Sequence, residues 1–285
     1  MKVAVIDIGS NSVRLMLWAD GTTLYKKINT TRLGEGIALS GRLSSAAIER
    51  SAQAVAAFCD EATREGAEAT FAFATAAVRS AENGRAFCAR VKELCGLDVD
   101  VVSGETEAKL GVSGALMGEE GGIVDIGGAC TEVSSTKCGF AVSLNIGAVR
   151  LYDMCGDCED KLFPVIEEKI AEINAPTDLG KMYAIGGTAT TLASVKLALK
   201  TYDPNRIQGC VITRSEAKSL AKLLLSKTCE ERKVIAGMDV RRADVIAGAA
   251  LLFYMLMEKL DLREITVSER DNLEGYLNEK MRRGL

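Results

Sequence analysis

No histidine occurs anywhere in the 285 residues. Its absence excludes Ser-His-Asp and Cys-His nucleophilic catalysis, because neither a hydroxyl nor a thiol would have its imidazole base. Any general base must therefore be an Asp, Glu, Lys or Tyr. No stretch approaches a transmembrane span, and the N-terminus enters a strand directly instead of a charged segment followed by an apolar signal core. A cytoplasmic protein with no membrane partner is the expectation. The 35 basic and 39 acidic residues leave a net charge of −4, poorly suited to wrapping nucleic acid, so no nucleic-acid partner is expected. Nine cysteines, scattered and odd in number, argue against a disulfide framework. Cys59 and Cys88 fall on apolar helix faces and read as core. Cys155-Gly156-Asp157-Cys158 is a CxxC, but no second pair follows at metal-ligand spacing, so a structural reading is preferred.

What is present is a repeat. Val3-Ala4-Val5-Ile6-Asp7 runs into Ile8-Gly9-Ser10-Asn11-Ser12, and Gly122-Ile123-Val124-Asp125 runs into Ile126-Gly127-Gly128-Ala129-Cys130. Each copy is an apolar strand, an acidic residue and a small-residue loop. Each is followed by a second strand and a tight turn, Asp20-Gly21 in one half and Lys137-Cys138-Gly139 in the other. Such loops can hold a phosphate chain on backbone N–H groups while the carboxylates bind a cation. A chain of this length carrying an internal repeat favours two domains, with a boundary near Met117–Gly121 that has no low-complexity tether.

Strands are expected at Lys2–Ile8, Val13–Trp18, Leu24–Ile28, Ala69–Ala74, Val99–Val102, across a meander from Gly122 to about Ile146, and at Met182–Ile185 and Glu264–Val267. Helices are expected from Ser44 or Ser45 to Gly66, at Gly84–Cys95 and opening within Ser103–Ala108, then within 159–173, at 190–200, 214–226, 228–237 and 242–260, and at the charged C-terminus. Strands joined by crossover helices give an α/β chain of mixed sheets flanked by helices. Five segments each follow a strand in the manner of a phosphate loop: Gly9–Ser12, Thr75–Arg79, Ser103–Glu107, Gly127–Thr131 and Gly186–Thr190. Asp7 and Asp125 close buried strands, where an unpartnered carboxylate is costly. They read as hydrogen-bonded turn carboxylates or, by preference, as direct or water-mediated Mg²⁺ ligands, since that ion takes few protein carboxylates and keeps waters or phosphate oxygens.

Several of these segments carry a resemblance: Ile6–Leu15, Arg32-Leu33-Gly34-Glu35-Gly36, Thr75–Ser80 with Asn83, and Ser103-Gly104-Glu105-Thr106-Glu107-Ala108. So do Val124–Gly128 with Thr131-Glu132, Ser143–Arg150 and Arg242–Gly248. In order along nearly the whole chain, they resemble the exopolyphosphatase/guanosine pentaphosphate phosphohydrolase family of the actin-like ATPase superfamily. The resemblance implies two actin-like, ribonuclease-H-like domains with mixed five-stranded sheets and an active-site cleft between them. The domains would be 1–118, with a C-terminal helix at about 270–285 packing back on it, and 119–285. It implies Glu107 as general base on the attacking water, with Glu105 a helix-dipole neighbour, and Asp125 as the carboxylate tied to metal and water. Gly9, Ser10, Asn11 and Ser12 match the first phosphate loop, Gly127, Gly128, Ala129 and Cys130 the second, and Arg79 a phosphate contact. Gly187 and Thr188 belong to a further phosphate turn. Asp125 and Asp7 are the metal candidates, for Mg²⁺ or Mn²⁺.

The chain departs from the family pattern at three places. Gly127-Gly128-Ala129-Cys130 stands where Gly-Gly-Gly-Ser is usual, Asp271 where a glycine is usual, and Gly186–Thr190 where a Gly-Thr-Ala-Gly-Thr-like turn is usual. Alanine at the third position restricts the backbone, and cysteine removes a hydroxyl donor. The leading function is hydrolysis of terminal phosphate from inorganic polyphosphate. Guanosine pentaphosphate is the alternative substrate, a kinase of the same superfamily is disfavoured, and a non-catalytic nucleotide or phosphate sensor is the competing class. Lys26, Lys27, Arg32, Arg232-Lys233 and Arg241-Arg242 are candidates for a basic track, or a solvated surface. A homodimer is the commonest closed assembly for such a chain.

Overall fold

The computed structural model describes residues 1–284. By its internal contacts the chain forms two units. The first is Met1–Glu107 with the chain from Tyr276 onward, the second Ala108–Gly275.

The first unit is built on β1 (Lys2–Ile8), β2 (Val13–Ala19), β3 (Thr22–Asn29), β4 (Ala69–Ala74) and β5 (Val99–Val101), in the order β3-β2-β1-β4-β5. The first three strands are an antiparallel meander, and β4 and β5 run parallel to β1. Val3 through Ile8 are buried along β1 with one glimpse of solvent at neither face, which is why that strand reads as a continuous apolar run and not as an alternation. Asp20 and Gly21 both take positive φ, 49° and 89°, the twist a two-residue hairpin turn requires. The helix Ser45–Arg64 is capped by the Ser44 hydroxyl, which accepts from the Ala47 N–H at 3.1 Å. Its inner face, including Ala52, Val55 and Ala62, packs into the same core as the helix Gly84–Cys95. Cys59 and Cys88 are only partly buried at the margin of this core. From the C-terminal helix Asn272–Arg282, the Tyr276 ring stacks on Phe73 at 4.6 Å, and its hydroxyl donates to the Asp100 carboxylate. Leu285, the end of the span expected to be helical, lies outside the described residues.

The second unit carries β6 (Gly122–Ile126), β7 (Thr131–Ser135), β8 (Phe140–Leu144), β9 (Met182–Ile185), β10 (Val211–Thr213) and β11 (Glu264–Val267). The order β10-β11-β9-β6-β7-β8 repeats that of the first sheet from β8 to β11. The expectation of five strands is corrected here: β10 adds a sixth, antiparallel to β11. Its three residues are too short for an alternating pattern and are followed at once by a capping box at Thr213 and Glu216. Several helices also differ from expectation: 228–237 shortens to Cys229–Lys233, and 242–260 is preceded by a 3₁₀ turn at Val240–Arg242 and begins only at Ile246. Gly186–Thr190 is the opening of the helix Gly186–Lys196, reached directly from β9 through Gly186 at φ 78°, and an unexpected helix occupies Ala148–Cys155. The helix Ile246–Lys259 is buried from Ile246 to Met257 and forms the centre of this unit's core. Among the described residues no helix is long and apolar enough to cross a membrane.

Candidate active site

Both repeat loops are the same turn. In the first, the Gly9 N–H donates to the Ser12 carbonyl at 3.0 Å; in the second, the Gly127 N–H donates to the Cys130 carbonyl at 3.0 Å. The carbonyls inside each turn are then taken from behind. Ser10 and Asn11 accept the N–H groups of Gly34 and Arg32, each at 2.8 Å. Gly127 accepts from Ala148 at 2.9 Å, and Gly128 accepts from Val149 at 2.8 Å and Arg150 at 3.0 Å. A trans peptide carries its C=O and N–H on opposite sides, and no peptide bond among the described residues is cis. Fixing these carbonyls therefore turns the N–H groups of Asn11 and Ser12, and of Gly128 and Ala129, toward the opposite side of each loop. Two successive amides aimed the same way make an anion-binding nest.

Tight packing makes the backing specific. A Cβ on Gly34 would lie 2.9 Å from the Ser10 Cβ, and one on Gly147 would lie 2.7 Å from the carbonyl oxygens of Gly127 and Gly128. The departure to Ala129 costs the loop nothing in backbone terms, because residue 129 is not in the left-handed region and its methyl is buried. The Cys130 side chain is also buried, with its thiol 3.9 Å from the Asn145 side-chain oxygen.

The two strand-end aspartates have different partners. Asp7 lies in register with Arg14 on β2, and its carboxylate accepts from the Arg14 Nε at 2.9 Å and from Nη2. Asp125 lies in register with Glu132 on β7, so two acidic residues stand side by side on one face. Glu132 is buried and accepts from the Ser143 hydroxyl at 2.7 Å. Asp125 accepts from the Asn272 amide at 3.3 Å, and its Oδ1 lies where a Cβ on Gly186 would come within 2.5 Å. Sequence reasoning quoted Glu132 only within a motif and missed it as a site candidate. The signal was its seven-residue spacing from Asp125, the same as Asp7 to Arg14, which closes a strand–turn–strand register. Asn272 was missed as well, although it follows β11 as the other loops follow their strands.

Among the described residues no cluster of three or more Asp, Glu, Cys or His forms a closed metal cage. The Asp125–Glu132 pair nevertheless fits a hard cation such as Mg²⁺, which takes one or two carboxylates and completes its shell with water and phosphate oxygens. Asp7 fits less well, since the Arg14 guanidinium already supplies the positive charge there.

Glu107 is in the first turn of the helix Gly104–Leu116, whose start is fixed by the Ser103 hydroxyl accepting the Thr106 N–H at 3.1 Å. Its carboxylate is buried and accepts from the Arg79 Nη1 at 2.8 Å. Burial pushes the Glu107 carboxyl above its ordinary range. The Arg79 hydrogen bond and charge pull it back, the Asp7 charge adds to the rise, and a bond from Thr75 opposes it. Thr75 follows the end of β4 with its N–H on the Ile8 carbonyl, so Asp7, Thr75 and Glu107 gather at the C-terminal ends of β1 and β4.

The third turn is spent differently. The Thr188 hydroxyl donates inward to the Ile126 carbonyl at 2.9 Å, tying the second loop to the helix start. The Arg242 guanidinium covers Gly187 so closely that a Cβ there would meet Nη2 at 2.0 Å. Asp271 caps the helix that follows it, its Oδ1 accepting the Leu273 N–H at 3.0 Å, which accounts for an acid in place of glycine. Arg232, offered as a surface cation, is fully buried instead, on Asp157 at 2.8 Å and the Leu224 and Ala243 carbonyls.

Two mixed sheets that share one five-strand order, each with a nest at the end of its first strand, define an actin-like fold. The Ppx/GppA phosphatase family matches residues 11–283, and the chain belongs to that family. It is 29% identical to "Exopolyphosphatase 2" of Mycobacterium tuberculosis, over 96% of this chain and 97% of that one. It is 28% identical to the "Guanosine-5'-triphosphate,3'-diphosphate pyrophosphatase" of Photobacterium profundum, over 98% of this chain but 59% of that one. The crystal structure of the Aquifex aeolicus Ppx/GppA family member superposes with a TM-score of 0.81 at 30% identity, covering 100% and 98% of the two chains. The protein is a phosphoanhydride hydrolase of this family.

Proposed function

We propose that the protein releases the terminal phosphate of inorganic polyphosphate by attack of water, with Glu107 as general base. The observation that carries this reading is Glu107 itself: a buried carboxylate, raised above its ordinary range, held by Arg79. A carboxylate raised above its ordinary range is a stronger proton acceptor than an exposed one.

The first nest, the amides of Asn11 and Ser12, would bind phosphate oxygens and fix the terminal group for in-line attack. Water oxygen bonds to the terminal phosphorus as Glu107 takes a water proton. The bridging P–O bond breaks, and its electron pair leaves on the chain shortened by one phosphate. Arg79 orients Glu107 and favours its ionised form, and the guanidinium charge would attract a phosphate oxygen. In the second unit, Asp125 and Glu132 would hold Mg²⁺, with Asn272 orienting Asp125 and the Gly128 and Ala129 amides taking phosphate oxygens. Mg²⁺, when bound, supplies charge neutralisation on those oxygens. Asp7 is assigned to Arg14 and to the electrostatics of Glu107, Thr188 to tying the loop.

A second reading, with guanosine pentaphosphate as substrate, draws support from the basic residues. Arg232 is buried, Arg241 pairs with Asp239, Lys233 with Glu230 and Lys27 with Glu61, so these candidates for a long polyanion track are engaged internally. Phosphate release measured on polyphosphate, guanosine pentaphosphate and ATP, each with Mg²⁺, separates the readings. Release from polyphosphate exceeding the nucleotides supports the first. Release confined to the pentaphosphate supports the second, and binding without release would leave a sensor.

A further inference from the structure

The first nest carries a side chain that its own hydrogen bonds leave unsatisfied. Asn11 is 6% exposed, and both its Oδ1 and its Nδ2 are buried with no hydrogen-bond partner. An amide in that state is expensive to keep and calls for an occupant. The backbone cannot swing to relieve it, because the Asn11 carbonyl is held by Arg32, the Ser10 carbonyl by Gly34, and the turn is closed from Gly9 to Ser12. The turn itself does not need the amide. At the equivalent position of the second loop, third in the same N–H-to-carbonyl closure, the chain places Ala129, whose methyl is buried.

We infer that the Asn11 amide is built to hold two things at once, a phosphate oxygen on Nδ2 and the attacking water on Oδ1. The chemistry of the two ends requires it. Ionised phosphate oxygens only accept, so a phosphate chain can satisfy the N–H donors but leaves Oδ1 without a donor. Once the terminal phosphate is fully ionised, water is the reactant in phosphoanhydride hydrolysis that brings O–H donors. A water accepted by Oδ1 while its neighbour oxygen is gripped by Nδ2 is fixed beside the phosphorus it attacks. Its second proton is left for a base, and Asn11 lies in the loop just beyond the end of β1 that carries Asp7, whose negative charge reaches Glu107. This inference rests on the hydrolase reading and adds to it a positioning group for the nucleophile.

The test uses the full chain with inorganic tripolyphosphate and Mg²⁺, comparing wild type with Asn11→Ala and Asn11→Asp. Asn11→Ala installs the residue that the second loop already carries in this turn, and it removes two unsatisfied buried groups. Its Tm is therefore expected to equal or exceed that of wild type. Its kcat is expected to fall about 100-fold while KM rises only several-fold, the pattern of lost nucleophile positioning. Asn11→Asp keeps an acceptor for water but loses the donor and adds negative charge, so its loss is expected mainly in KM. Asn11→Ala with kcat within about threefold of wild type overturns the inference. So does a Tm loss in Asn11→Ala, which would make the amide structural. A wild type that releases phosphate from neither tripolyphosphate nor guanosine pentaphosphate would overturn the hydrolase reading, and this inference with it.

Discussion

The Arg79 guanidinium meets the buried Glu107 carboxylate at 2.8 Å and at the same time donates to the Val102 carbonyl at 3.0 Å. Arg79 is thereby anchored on the strand end that leads to Glu107, and the pair opposes the rise that burial imposes on the carboxyl. Removing Arg79 removes a downward pull. The acid limb of kcat/KM, where Glu107 must ionise, is expected above the usual carboxylate range in wild type and higher still in Arg79→Ala. At neutral pH that variant should lose about 100-fold or more in kcat/KM, since it also loses the cation proposed to contact phosphate. A pH–rate profile of both proteins checks this.

The same raised carboxyl has a stability consequence. The folded state holds the Glu107 proton more tightly than the unfolded chain, whose value is near 4.5. Its stabilising share is therefore complete below that value and is lost as pH rises through the folded value. Glu107→Gln, which stays neutral, is expected to raise Tm relative to wild type at pH 8, with the difference vanishing at pH 4. Thermal melts across that range measure it.

Asp125 and Glu132, in register on β6 and β7, are the hard-oxygen pair proposed to hold Mg²⁺. Asp125→Asn and Glu132→Gln are each expected to lower phosphate release at least ~100-fold at fixed Mg²⁺ and to raise the Mg²⁺ concentration needed for half-maximal rate. Asp7→Asn should leave that Mg²⁺ midpoint near wild type. Rate measured against Mg²⁺ concentration, with chelator as the zero point, distinguishes the three.

Gly147 backs the second nest with no room for a side chain. Gly147→Ala pushes a methyl into the Gly127 and Gly128 carbonyls and must move the loop. A displacement of about 1 Å is expected to cost on the order of 100-fold in kcat/KM. Steady-state kinetics with a melt on the same sample checks that the loss falls on the site.

Asp157, inside the CxxC, holds the fully buried Arg232. Asp157→Ala leaves that guanidinium without its counter-charge. A buried pair broken in this way costs roughly 3 to 5 kcal/mol, and the partial exposure of Asp157 places this one nearer 2 to 3 kcal/mol. Urea unfolding gives the value, and Cys158→Ser, which spares the pair, should change it little.

What could be read in advance follows the range of the interactions. β1 and β6 were legible because strands buried on both faces leave unbroken apolar runs, and the nests because their small residues sit directly after those runs. Glu107 came through a family motif; nothing in its local pattern separates it from Glu105. The partners were hidden. Arg14 and Glu132 answer Asp7 and Asp125 across hairpins whose register depends on the turn length, and Asn272 reaches Asp125 from 147 residues away. Arg232 looked like surface charge because local sequence cannot show a counter-ion in a distant loop. β10 was too short to carry a period.

The central claim is that Glu107 takes the proton of the attacking water. The most direct measurement is single-turnover phosphate release from tripolyphosphate by Glu107→Gln, alongside calorimetric binding of the same compound. The account predicts binding within about tenfold of wild type and a chemical step slowed about 1,000-fold or more, flat across the pH range where wild type rises. A Glu107→Gln protein that turns over at the wild-type rate, with the wild-type pH profile, would contradict it.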